Sequence, residues 1–131
     1  MTTAENQLRR KIIKTAIALP STGLTHGTFG NVSVRHKDGM LITPSGIPFE
    51  ELSIEKVVFM DLSGGYYGDY LPSSEWRMHL DIYRSYADAQ AAVHCHSPRA
   101  TALSTHNKGI PAFHYMVAVA GGDEIKCADY A

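Results

Sequence analysis

NVSVRHKDGMLIT, residues 31–43, is the stretch of sequence that decides the fold. It holds two β-type runs, 31–36 and 39–43, joined through the dipeptide Asp38-Gly39. An Asp-Gly dipeptide between apolar runs is a strong signal for a tight antiparallel turn. The sequence therefore predicts a β-hairpin over residues 31–43.

Amphipathic helices are expected on both sides of this hairpin along the chain. Residues 5–19 place apolar side chains at helical spacing, with arginines and lysines on the other face, and Pro20 and Gly23 are expected to end this helix. The apolar positions are Leu8, Ile12, Ile13, Ala16 and Leu19. A second helix is expected to begin at Pro72-Ser73-Ser74, because serine caps exposed N–H groups, and to reach about Tyr86. Its buried side would carry Trp76, Leu80 and Tyr83.

Further strands are predicted at residues 56–61, closed by the turn 63–65, and at residues 91–95. Ser97-Pro98 is expected to open a third helix, and residues 110–131 to hold a strand and a break at Gly121-Gly122. This pattern predicts an α/β or α+β layered fold, with a central, mainly antiparallel sheet flanked by helices. Residues 1–131 fit one domain, and because 127–131 offers neither a helix cap nor a charged tail, we expect that domain to be incomplete at its C-terminal end.

Composition excludes several classes of function. The formal net charge of -1 gives no general attraction to nucleic acid or to an anionic membrane, so any bound phosphate must be held by local groups. No apolar run approaches the roughly 20 residues that span a bilayer, and the first residues lack the pattern of a signal peptide. The two cysteines, Cys95 and Cys127, are too few for a disulfide framework, which favours a cytoplasmic protein.

The strongest chemical signal is His94-Cys95-His96. Side chains alternate faces on a strand, so both imidazoles would point the same way and could share a metal ion, while Cys95 would be a small buried residue. Glu75, in the expected first turn of the second helix, would complete a catalytic zinc set. The alternative is a strand end with two histidines facing solvent and an ordinary solvated glutamate. Three other histidines, His36, His79 and His106, are predicted to lie on the surface or on a helix face.

Three turns are rich in small residues, namely 28–31, 43–46 and 73–74. Backbone N–H groups and short hydroxyls in such turns can bind phosphate without lysine or arginine. Each one, taken singly, is equally well an ordinary turn or helix cap. The sequence contains neither a P-loop nor a GxGxxG motif.

Four long motifs in succession resemble the class II aldolase and adducin head-domain family. They are GTFGNVSVR (27–35), DGMLITPSGIPFEEL (38–52), LPSSEWRMHLDIYRSYADAQAAVHCHSP (71–98) and IPAFHYMVAVAGG (110–122). The resemblance implies one zinc ion per subunit, with His94 and His96 as ligands. It implies that Glu75 binds the metal at rest and acts as the general base, and that Tyr115 donates a proton at a neighbouring subunit of a homotetramer. The implied phosphate pocket is formed by Gly30, Asn31, Ser45, Gly46, Ser73 and Ser74.

The activity that this resemblance implies is reversible cleavage of L-fuculose 1-phosphate into dihydroxyacetone phosphate and L-lactaldehyde. A related L-ribulose-5-phosphate 4-epimerase remains an alternative, although its pattern has aspartate where Glu75 stands. A methylthioribulose-phosphate dehydratase is a further alternative within the family. An adducin-like interaction module would lack the zinc ligands. A shortened, inactive form is also open, because the family's third zinc-binding histidine would lie beyond residue 131.

Overall fold

The computed structural model describes residues 1–129, which form two compact units, the first from Met1 to Cys95 and the second beginning at His96. Tyr130 and Ala131, part of the chain end considered above, lie outside the described residues. Within the described range, no helix is long and apolar enough to span a membrane.

The first unit is built on a five-stranded sheet in which every pairing between strands is antiparallel. Its spatial order is β4-β3-β2-β1-β5, and the strands are β1 Asn31–His36, β2 Gly39–Ile42, β3 Val58–Asp61, β4 Tyr66–Tyr67 and β5 Ala91–His94. The first unit also contains helices α1 Thr3–Ser21 and α2 Trp76–Ser85 and a short 3-10 turn at Phe49–Glu51. The predicted antiparallel sheet flanked by helices is therefore confirmed.

The hairpin between β1 and β2 is confirmed, but its turn lies one residue earlier than the Asp-Gly signal indicated. His36 pairs with Gly39, so Lys37, with φ 52°, and Asp38 form the loop. Gly39 is needed for space rather than for the turn. A Cβ at this position would overlap the backbone oxygen of Met60 on the adjacent strand β3.

The two faces of the sheet carry separate hydrophobic clusters, because neighbouring residues of a strand point to opposite faces. Leu41 packs with Ile12, Ala16 and Leu19 of α1. Met40 and Ile42, its neighbours in β2, pack with Leu80 and Tyr83 of α2. The helices thus cover opposite faces of the sheet, and α2 runs over the face that carries the candidate site.

Helix α1 is longer than predicted and buries a charge that the amphipathic pattern assigned to the solvent face. The helix continues through Pro20 to Ser21. Arg9 is only 6% exposed and donates hydrogen bonds to the carboxylate of Glu5 and to the backbone oxygens of Ile54 and Val57. The prediction for Arg9 was wrong, because its guanidinium satisfies backbone carbonyls that a local pattern cannot reveal.

Several other predictions need correction. Strand β3 begins at Val58 rather than at residue 56, and β4, which follows the predicted turn 63–65, was missed because two residues carry too little pattern. In the second unit, α3 Pro98–Ser104 is confirmed. The strand expected within 110–131 is absent from the described part of that segment, which forms a short helix, α4 Met116–Val119, and a single bridge between Ile110 and Ile125. The strand prediction was wrong because this part of the chain forms only a one-residue bridge between distant positions, and a local apolar pattern cannot distinguish such a bridge from a strand.

Candidate metal centre

The end of β5 brings His94 opposite the start of β1. Asn31 pairs directly with His94 in the antiparallel ladder. Gly30, just before β1, has φ 99°, and a Cβ there would stand 2.6 Å from the backbone oxygen of His94. A positive φ and a close backbone approach are both conditions that glycine meets without strain. Gly30 therefore lets the two chain segments meet at this end of the sheet.

Glu75 reaches the same point from α2. The sequence suggested that Glu75 lies in the first turn of this helix. The helix begins at Trp76, so Glu75 is instead its N-cap residue. Ser73 supports this helix start: its backbone oxygen accepts from the N–H of Trp76 at 3.0 Å, and its hydroxyl accepts from the N–H of Glu75 at 3.4 Å. An Oε2 oxygen of Glu75 lies 3.3 Å from Nε2 of His94.

The side chains of His94 and Glu75 are partly exposed, to 30% and 35%, so this pair is accessible to a ligand. Donor atoms of Glu75, His94 and His96 all lie within 4.8 Å of one another, and this group could hold a metal ion. β5 ends at His94, so His96 belongs to this group as a residue after the strand and not as a strand position. One carboxylate and two imidazoles are donors that zinc accepts in catalytic sites, where a further position stays open.

Asn31 is held between the candidate metal ligand and a buried histidine. Its Nδ2 donates to Oε2 of Glu75 at 2.6 Å, and its Oδ1 lies 2.5 Å from Nε2 of His79. The other ring nitrogen of His79 is 2.7 Å from the hydroxyl of Ser33, which lies 2.8 Å from the hydroxyl of Tyr83. These contacts form one continuous chain of hydrogen bonds from the core to Glu75.

Burial controls the titration of both aromatic members of this chain. The pKa of His79 falls from 6.5 to about 4, mainly through burial and also through nearby His94, whereas Glu75 acts to raise it. Burial also raises the pKa of the Tyr83 hydroxyl above 10.0, against the hydrogen bond with Ser33 and the charge of Arg35. His79 is therefore neutral and Tyr83 protonated near neutral pH.

Two of the three predicted phosphate turns lie side by side. Pro44 and Pro72 form an antiparallel bridge, the N–H of Ser45 donates to the backbone oxygen of Leu71 at 2.9 Å, and the N–H of Ser73 donates to Thr43 at 2.9 Å. The backbone N–H groups of Ser45 and Ser73 are thus engaged within the protein. The exposed members of these turns are Ser45, Gly46 and Ser74.

The structure brings some of the predicted site residues together around Glu75 and places Tyr115 elsewhere. Asn31, His94 and Ser73 each contact Glu75, and Gly30 lies against the backbone of His94. Asn31 is only 4% exposed, with its amide turned to Glu75 and His79. Tyr115 belongs to the second unit, where it precedes α4 and is 74% exposed. The phosphate-binding and proton-donating roles of these residues stay predictions.

Sequence reasoning missed the part that His79, Ser33 and Tyr83 take in this site. His79 was predicted to lie on the surface or on a helix face; it does lie on a face of α2, but that face is buried and His79 is only 1% exposed. The signal was present in the spacing: Glu75, His79 and Tyr83 recur every four residues, which places them along one face of a helix. A polar side chain at each of three such positions, beside the apolar Leu80, indicates a buried polar row.

Comparisons with known proteins agree with this arrangement. Residues 10–131 match the model of the class II aldolase and adducin N-terminal domain. The chain is 53% identical over 126 residues to the L-fuculose phosphate aldolase of Escherichia coli (strain K12), covering 96% of this chain and 59% of that protein. It is 48% identical over 124 residues to a 5-methylthioribulose-1-phosphate/5-deoxyribulose-1-phosphate aldolase of Rhodospirillum rubrum, covering 95% of this chain and 56% of that protein.

Solved structures give the same result. A structure of an L-fuculose 1-phosphate aldolase has a TM-score of 0.91 at 41% identity, over 100% of this chain and 61% of that one. The L-fuculose-1-phosphate aldolase of Thermus thermophilus has a TM-score of 0.76 at 31% identity, over 91% of this chain and 61% of that one. The chain thus spans about 59% of the length of the first curated relative. With a family model that matches nearly its whole length, the chain belongs to the class II aldolase and adducin N-terminal domain family.

Proposed function

We propose that this chain carries the metal-binding and substrate-activating part of a zinc-dependent sugar-phosphate aldolase, in which residues 1–131 act as a class II aldolase-type domain. The observation that carries the proposal is the approach of Glu75 to His94 at 3.3 Å, with His96 in the same group of metal donors. Adducin-like interaction modules, the alternative class, would lack these ligands.

His94, His96 and Glu75 would hold the ion, and the bound ion would supply a Lewis acid that polarises the ketone oxygen of the substrate. In the addition direction, Glu75 would bind the metal at rest and would then take a proton from the carbon of dihydroxyacetone phosphate next to that ketone; in cleavage it would return a proton to the same carbon. Its carboxylate already accepts a hydrogen bond from Asn31, which orients it before substrate arrives. The adjacent turns around Ser45, Gly46, Ser73 and Ser74 would hold the substrate phosphate. The family resemblance assigns Gly30 and Asn31 to the same pocket, although the side-chain amide of Asn31 is engaged with Glu75 and His79.

L-fuculose 1-phosphate is the substrate that we propose, because a relative named for that substrate is 53% identical to this chain. A second candidate is 5-deoxyribulose 1-phosphate, since a relative named for it is 48% identical. Both substrates would need the same metal and phosphate groups, so discrimination must come from residues that contact the rest of the sugar. An epimerase is disfavoured by the glutamate at position 75.

The proposal is tested by activity with L-fuculose 1-phosphate, 5-deoxyribulose 1-phosphate and L-ribulose 5-phosphate, each with added zinc. Release of dihydroxyacetone phosphate from the first substrate, above the other two, supports the proposal. Because this chain spans only part of its relatives, the assay is run both on the chain alone and on the chain fused to the portion of the 53% identical relative that it does not match. Turnover of L-ribulose 5-phosphate alone in both forms would contradict the aldolase assignment.

Glu75→Gln in the active form is the matched variant, because it keeps the size of the side chain and removes the base. It should lose most turnover, and an unchanged rate would exclude Glu75 as the base. A homotetrameric assembly, the proton-donating role of Tyr115 at a neighbouring subunit and a cytoplasmic location are further parts of the proposal. They rest on the family resemblance alone.

A further inference from the structure

Helix α2 and strand β1 interleave their polar side chains at this site. Glu75, His79 and Tyr83 recur every four residues, a rise of about 6 Å along a helix. Asn31 and Ser33 are two residues apart, a rise of about 6.8 Å along an antiparallel strand. Because these repeats nearly match, Asn31 lies between Glu75 and His79, and Ser33 lies between His79 and Tyr83.

The direction of every hydrogen bond in this row follows from its end at Glu75. The carboxylate of Glu75 accepts from Nδ2 of Asn31, so Oδ1 of the same amide faces His79 and needs a donor. Nε2 of His79 must therefore carry the ring proton, which leaves Nδ1 as an acceptor for the hydroxyl proton of Ser33. The oxygen of Ser33 then accepts the hydroxyl proton of Tyr83.

The chemistry of the row agrees with this order. A histidine can donate from one nitrogen and accept at the other only when its ring is neutral, and burial keeps the pKa of His79 at about 4. A phenol can donate only while protonated, and burial raises the pKa of Tyr83. Ser33 is 0% exposed and Tyr83 2%, so water cannot readily replace either partner.

We propose that Tyr83, Ser33 and His79 form a one-way hydrogen-bond chain that locks the Asn31 amide with its NH₂ group toward Glu75 and so fixes the Glu75 carboxylate beside His94. These three are positioning residues, since they act on Glu75 only through Asn31. A reversed Asn31 amide would place its Oδ1 oxygen beside the Glu75 carboxylate, where neither group can donate a hydrogen bond and the two would repel each other. The functional importance of this positioning rests on the proposed role of Glu75. The hydrogen-bond chain itself does not depend on that role.

The first test measures the His79 ring directly in the full 131-residue chain. Nitrogen-15 NMR correlation spectra distinguish the protonated ring nitrogen from the unprotonated one in a neutral imidazole. The expected result is a neutral His79 with its proton on Nε2 in metal-free protein near neutral pH. A proton on Nδ1, or on both nitrogens, would overturn the proposal whatever the protein's activity.

The second test measures cobalt(II) affinity in His79→Leu, His79→Gln and the control Leu80→Val. Loss of groups that orient metal ligands commonly costs about 10- to 100-fold in metal affinity, and His79→Leu is expected to fall in that range. His79→Gln keeps an N–H donor for Asn31 and should recover most of the affinity. Leu80 is 3% exposed in the same core but outside the row, so Leu80→Val reports loss of packing alone.

The outcomes separate the two proposals. Equal losses in His79→Leu and Leu80→Val, or no recovery in His79→Gln, would contradict the positioning chain while leaving the metal site intact. Absence of cobalt binding by the unaltered chain would contradict the proposed metal function. In that case the NMR measurement would still decide the direction of the hydrogen bonds. It would also decide it if His79→Leu failed to fold.

Discussion

Replacing His79 by glutamine is expected to remove much of the acid sensitivity of folding between about pH 7.5 and about pH 5. The pKa of His79 falls from 6.5 to about 4 in the folded chain. As the pH drops below about 6.5, the unfolded chain binds a proton that the folded chain refuses until about pH 4, so protons favour unfolding. The stability that His79 contributes is complete above pH 6.5 and is lost as the pH falls toward 4.

The magnitude follows from the size of that pKa shift. At about 1.4 kcal/mol for each pKa unit, a fall from 6.5 to about 4 corresponds to at most about 3–4 kcal/mol. About 2 kcal/mol of this is lost by about pH 5. Because the His79 side chain is only 1% exposed, solvent screening does not reduce the effect much.

Glu5 does not titrate in the same pH range. Burial acts to raise the pKa of Glu5, but Arg9, His36 and Lys37 outweigh burial and lower it, so the Glu5 carboxylate loses its contribution to stability only at lower pH.

Urea denaturation of the metal-free chain and of His79→Gln at both pH values gives the measurement. The other titrating groups are common to both proteins and cancel in the comparison. The free energy of unfolding of the unaltered chain should fall by about 2 kcal/mol more than that of the variant. Equal pH dependence in the two proteins would refute the reasoning that burial holds His79 neutral.

Two further substitutions test the packing of the fold by the same denaturation. Gly39→Ala should destabilise by about 1–3 kcal/mol, because its Cβ would overlap the backbone oxygen of Met60, and an unchanged midpoint would argue against the β2–β3 register. Arg9→Met should cost about 3–5 kcal/mol by leaving Glu5 buried without its partner, whereas Arg10→Met, on the exposed side of α1, should cost little. Similar losses in both arginine variants would contradict the buried ion pair.

The sequence predicted the parts of the fold that depend on local pattern. Residues 31–43 carry two β-type runs around a turn signal, and β1 and β2 follow them closely. The apolar spacing of Ile12, Ala16 and Leu19 likewise identified the buried face of α1. By contrast, β4 has two residues and exists only because Tyr66 and Tyr67 pair with β3, so no local signal defines it.

The site was predicted through its chemistry and only partly through its geometry. The spacing of His94 and His96, together with Glu75, pointed to the residues that the fold brings together. The role of His79 could not be read from its residue type, because histidine is intermediate between the buried and the exposed residue types. Its burial depends on the register between α2 and β1, which places Ser33 and Asn31 opposite its two ring nitrogens.

The central claim is that Glu75 and His94, with His96, bind one divalent cation. Calorimetric titration of the metal-free chain with zinc tests it most directly, with Glu75→Gln, His94→Gln and His106→Gln as variants. His106 is exposed and lies outside the donor group, so it is the matched control. We predict one zinc ion per chain, a large loss of affinity in the first two variants and none in the third. Equal zinc affinity in all four proteins would contradict the account.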